Sequence, residues 1–97
     1  MNPSLLSQAR ELKSKLDKAQ KELSTTMVEA SAGKGAVKVI MNGQQKIQSI
    51  KISPQVINPD KAEVLEGLVL KAVSEAIDKA QKVAAKCLGG IKFPGLT

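Results

Sequence analysis

Histidine, tryptophan and tyrosine are absent from this 97-residue chain; Phe93 is its one aromatic residue and Cys87 its one cysteine. Each absence removes a class of function. Without histidine, proton transfer near neutral pH loses its commonest agent. With a single cysteine besides, a transition-metal site would have to be built from scattered carboxylates. The nine acids stand mostly at helical positions beside Lys and Ala, as solvated face residues do. Neither Cys87 nor any serine has a base encoded nearby, and Gly33-Lys34-Gly35 lacks the glycine spacing and the Lys-Ser/Thr ending of a phosphate loop. The chain is therefore expected to be no enzyme and to need no cofactor or metal. A lone cysteine closes no internal disulfide, which fits a reducing interior; Cys87 continues an apolar helical pattern and reads as a structural thiol. No run of about 18 apolar residues is present to span a bilayer, and the N-terminus lacks a basic segment followed by an apolar core. The expectation is a cytoplasmic protein with no membrane partner.

Scarce aromatics also leave an aliphatic core of Leu, Val, Ile and Ala, thin for a domain of this size, so that help from a second copy is expected. What the sequence has in excess is positive charge: 15 Lys and Arg against 9 Asp and Glu, a net +6. Such a surplus favours a polyanionic partner, though many domains carry one for solvation alone.

Along the chain, residues 1–24 read as a helix. Leu5, Ala9, Leu12, Leu16, Ala19 and Leu23 alternate in steps of four and three, a heptad seam of under three heptads. Pro3 suits a helix start, and Glu11–Lys15 and Asp17–Lys21 are favourable i,i+4 pairs. Residues 25–53 read as three strands: one from the Ser/Thr-rich stretch to Ser31, a Gly33-Lys34-Gly35 turn, a second through Val37, Val39 and Met41, and a third through Ile50 and Ile52 that ends at Pro54. Asn42-Gly43 predicts a type I′ hairpin turn between the last two. Ile47 is out of phase with Ile50, which means a bulge or a position near the loop. Asn58-Pro59-Asp60 starts a second helix, 58–88, whose apolar set is wide enough for burial on two sides. Gly89-Gly90 stops it, leaving a loose tail, 89–97. The whole predicts one α+β domain over 1–97: helix, three-stranded antiparallel sheet, helix.

The basic residues Arg10, Lys13, Lys15, Lys18 and Lys21 fall off the heptad seam, and beyond Asp78 the chain has Lys79, Lys82, Lys86 and Lys92 but no acid. If the helices pack antiparallel, these groups gather into a basic prong, two per dimer, for a duplex backbone. The same lysines also serve as the ordinary solvated face of an amphipathic helix. Few aromatics exclude base stacking on single strands, and no helix-turn-helix or zinc-finger spacing appears, so any DNA binding would lean on phosphates with little sequence discrimination. A protein-interaction adaptor that clamps an acidic protein is the alternative.

The segment Gly33-Lys34-Gly35-Ala36-Val37-Lys38-Val39-Ile40-Met41-Asn42-Gly43, followed by Ile50-Lys51-Ile52-Ser53-Pro54, resembles the hallmark of the YbaB/EbfC nucleoid-associated proteins, and the order of elements matches over almost the whole chain. The resemblance implies an intertwined homodimer in which strands of two subunits combine and helices project as tweezer-like arms that bind double-stranded DNA in the nucleoid. It places Arg10, Lys13, Lys15, Lys18, Lys21, Lys79, Lys82 and Lys86 on the arms. It assigns fold and dimer geometry to Gly35, Val37, Asn42, Gly43 and Pro54, alongside the seam residues Leu12 and Leu16 and the strand residues Val39, Ile50 and Ile52. The chain departs from many members in lacking an extended Met- and Pro-rich tail.

Overall fold

The computed structural model describes residues 3–90; of the tail expected over 89–97, residues 91–97 lie outside them and Gly89 belongs to the second helix. Helix α1 spans Pro3–Thr25, strands β1, β2 and β3 span Met27–Ala32, Val37–Asn42 and Ile47–Ile52, and helix α2 spans Ala62–Gly89. The strands form one antiparallel sheet in the order β1-β2-β3. The α+β order of helix, sheet and helix is the one the sequence predicts.

Alternation along the strands sends Ala30, Ala32, Val37, Val39 and Met41 to one face, where they meet Ala72, Ala76 and Ala80 of α2. The three alanines recur every four residues, hence on one stripe of the helix. All three are fully buried, as are Val37 and Val39. With methyl groups in place of larger side chains, α2 lies close against β1 and β2. The wide apolar set of α2 is thus spent partly on the sheet. Leu65, Leu68, Val69, Val73 and Ile77 border the core half-buried.

The β1–β2 turn runs through left-handed backbone at Gly33 (φ 63°), Lys34 (φ 56°) and Gly35 (φ 86°). A side chain on Gly33 would also press on Leu68, 3.0 Å from the added Cβ. The second turn departs from the expected type I′ form. Neither Asn42 nor Gly43 has a positive φ; Gln45 does, at 65°. Asn42 N donates to Lys46 O at 2.9 Å and Gln45 N to Asn42 O at 3.0 Å, so the Asn42–Lys46 pair closes a three-residue loop whose last position, Gln45, is the left-handed one. The phase change in β3 is a bulge: Ile40 pairs with Ser49 but Met41 with Ile47, leaving Gln48 as the extra residue. Helix α2 begins later than expected. Asn58 Oδ1 accepts from Asp60 N at 3.0 Å, but the turn it caps, Pro59–Lys61, is a 3₁₀ turn that precedes Ala62.

The molecule is long, 67 × 21 × 19 Å, with a radius of gyration of 19.2 Å, against about 12.5 Å for a compact chain of this length. Helices of 23 and 28 residues are about 34 and 42 Å long, and the excess length is theirs.

Candidate nucleic-acid interface

Helix α1 is anchored at its C-terminus. The last carbonyls of a helix have no partner within it, and the β2–β3 turn supplies donors to those of α1. Gly43 N lies 2.9 Å from both Leu23 O and Thr26 O, Asn42 Nδ2 donates to Ser24 O at 3.3 Å and Gln44 Nε2 to Gln20 O at 3.1 Å. The Ser24, Thr25 and Thr26 hydroxyls turn back onto the Lys21 and Glu22 carbonyls. Asn42, only 4% exposed, also accepts from Gln44 N at 2.9 Å and Lys46 N at 3.0 Å. It therefore shapes the turn and binds the helix at once. Gly43 is needed for space: a Cβ there would stand 2.7 Å from Leu23 Cδ2 and 3.0 Å from Leu23 O.

The two helices meet antiparallel. Cys87 Sγ of α2 is 3.7 Å from Ala19 O and from Glu22 Oε2, while Val83, one turn earlier, lines the same hollow as Leu23 and Thr26. Full burial on α1 is confined to Ala19 and Leu23 in its last turns, Leu12 and Leu16 are partly buried, and Pro3–Arg10 is exposed throughout. The Cys87 thiol is a packing group. Desolvation against α1 raises its pKa above the ordinary cysteine value, and the Glu22 carboxylate pushes the same way, so the reactive thiolate is disfavoured.

All eight basic residues singled out in the sequence are exposed. They differ in what engages them. Lys15 pairs with Glu11 at 3.3 Å, both half-exposed or more, and Lys79 Nζ donates to Glu29 O of β1 at 2.7 Å, which ties it to the sheet edge. Among the described residues, Arg10, Lys13, Lys18, Lys21, Lys82 and Lys86 have no carboxylate within ion-pair distance. The first four ride the outer sides of α1, and Lys82 and Lys86 lie on the part of α2 that runs alongside it. Sequence reasoning passed over Lys38 and Lys51. They stand directly opposite each other on β2 and β3, a juxtaposition that only the strand register reveals.

No described helix is long and apolar enough to cross a membrane, and among the described residues no three His, Cys, Asp or Glu side chains gather as a metal site would require.

The model of the YbaB/EbfC DNA-binding family matches residues 1–95. The chain belongs to that family. A nucleoid-associated protein of Chloroflexus aurantiacus is 42% identical over 92 residues, covering 91% of this chain and 92% of its own. One from a Roseiflexus species (strain RS-1) is 43% identical over 100 aligned positions, covering 98% and 99%. Among solved structures, that of the uncharacterized protein HP0035 from Helicobacter pylori superposes with a TM-score of 0.76 at 17% identity, covering 84% of this chain and 87% of that one. Sequence thus shows the family, and the solved structure shows the same fold.

Proposed function

We propose that the chain is a nucleoid-associated protein that binds double-stranded DNA as a homodimer, chiefly through phosphate contacts of its helical arms and with little sequence preference, and so influences chromosome organisation and gene expression. The observation that carries this reading is the projecting α1, exposed and studded with Arg10, Lys13, Lys18 and Lys21, none of which has a described carboxylate within ion-pair distance. Lys82 and Lys86 extend the same field from α2. Lys15 and Lys79 contribute less, because each already has a partner.

The homodimer is supported by apolar surface that one subunit leaves open. Pairing of Ile52, Ile50 and Ile47 with Val37, Val39 and Met41 puts three isoleucines on the core face of the sheet, yet beyond the reach of α2; they are 36, 43 and 46% exposed. Lys79 reaches the β1 edge from one flank of α2. The other flank, carrying Leu70 and Val73, therefore faces the β3 side, where Leu65, Val69, Leu70 and Val73 line an open apolar groove. Surface of this kind marks an interaction site, and a two-fold axis lets one such patch cover its own copy.

Binding to a random-sequence duplex, followed as salt is raised, tests both parts. Affinity should fall steeply, with a log–log slope of about −0.9 per phosphate contact. Replacing Lys13, Lys18, Lys82 and Lys86 by Gln should flatten that slope and weaken binding, while sedimentation still finds a dimer. Unchanged affinity would refute the arms, and a folded monomer at micromolar concentration would refute the dimer.

A further inference from the structure

We propose that the solvent-facing side of the sheet is a second phosphate-contacting surface, centred on Lys38 and Lys51, through which a second duplex is held while the arms grip the first. The inference rests on the DNA-binding reading above but uses none of the same residues.

From Met27 to Ile52 the chain contains four lysines, Lys34, Lys38, Lys46 and Lys51, and one acid, Glu29. Strand register sorts them. Ser31 pairs with Lys38 and Lys38 with Lys51, so one row crosses all three strands on the face turned away from α2, and all three residues are exposed. The next row is Glu29, Ile40 and Ser49. Glu29 is therefore diagonal to Lys38 and two strands away from Lys51, and no acid stands directly opposite either lysine. Directly opposed side chains have Cβ atoms about 4.5–5.5 Å apart, and like charges in that relation destabilise a sheet. A phosphate seated between the two ammonium groups reverses that sign, with the Ser31 and Ser49 hydroxyls as neighbouring donors. Lys34 stands on the turn that closes this end of the sheet, exposed and held out in left-handed backbone at φ 56°.

The place of this row sets it apart from the arms. Helix α1 joins the sheet at the opposite end, where Leu23 meets Gly43. Lys38 is four residues from Asn42 along β2, about 13 Å, and α1 runs outward from that end for about 34 Å more. Two basic surfaces at different ends of a 67 Å molecule suit two duplexes.

Capture of a fluorescent duplex by protein already bound to an immobilised one tests the proposal. The unaltered protein should capture it, and capture should vanish above physiological salt. Lys38→Gln with Lys51→Gln should reduce capture at least fivefold while binding to a single duplex changes less than twofold. Lys38→Glu should abolish capture yet raise the melting temperature, because it turns a repulsive cross-strand pair into an attractive one; a folding defect would lower both. Capture by the double variant equal to that of the parent, or no capture by the parent, would overturn the proposal. The arm reading is tested separately by the first duplex, whose binding the sheet variants leave intact.

Discussion

The sheet end and the arm end of this molecule are built on different terms. At the sheet end, Val37, Val39, Ala72, Ala76 and Ala80 are fully buried and Met41 nearly so, drawn together from one strand and a helix. Along α1 burial is confined to Ala19 and Leu23. Leu12 and Leu16 are half covered, and Leu5 and Leu6 are 59 and 42% exposed. The first turns of α1 thus rest on helix propensity, and the exposed ion pair Lys15–Glu11 farther along the helix adds little. One end supplies stability and the other supplies surface. A helix that contributes little to folding can carry five bases against three acids on its exposed sides.

The contrast is broken most directly by truncating one residue at each end. Met41→Ala removes a side chain that is 1% exposed and should cost about 2–5 kcal/mol, as buried Met, Leu and Ile truncations do. Leu12→Ala, at a partly buried position, should cost only about 1 kcal/mol. Urea unfolding of both variants measures the difference. Equal losses would mean that the arm folds as part of the core.

A smaller effect is expected where the two regions join. Asn42→Ala would strip partners from Gln44 N, Lys46 N and Ser24 O together, and should cost about 1–3 kcal/mol, the usual consequence of orphaning buried polar groups. Its particular signature lies in α1: amide hydrogens of the arm should exchange faster while those of β1 and β2 change only with global stability. Uniform acceleration would show that Asn42 shapes the turn without holding the helix.

How far these regions could be read from sequence follows from the range of the forces involved. The helical period of α1, the alternation of β2 and the Gly33-Lys34-Gly35 turn are local patterns, and the helix, the strand and the turn all appear where the residues place them. Asn42-Gly43 marks the right place for the wrong reason. Gly43 is there for its missing Cβ, because Leu23 closes on it from twenty residues away, and a local turn rule has no access to that contact. The phase of Ile47 was legible as an anomaly, and the register made it a bulge. Of the basic residues, all eight could be placed on exposed helix faces. That Lys79 is turned back to Glu29 O, and that Lys38 opposes Lys51, depends on how separate elements are juxtaposed, which charge counting does not reveal.

The smallest expected effect probes the contact that ties the arm to the end of α2. Cys87 lies against Ala19 and Glu22, and both burial and the carboxylate favour its neutral form. The rate of alkylation by iodoacetamide follows the thiolate fraction, so its pH midpoint in the folded protein should lie above that of the same thiol in urea, and Glu22→Gln should bring it part of the way back. The linkage has a definite sign. A thiol whose value is raised on folding contributes stability that is complete below the unfolded-state value and fades as pH rises through it toward the folded-state value. Cys87→Ala should therefore remove a small alkaline decline in stability while leaving the neutral range otherwise unchanged in slope. A folded-state midpoint at or below that in urea would mean that the thiolate is stabilised, and with it that the end of α2 does not rest on the arm as Cys87 and Ala19 imply.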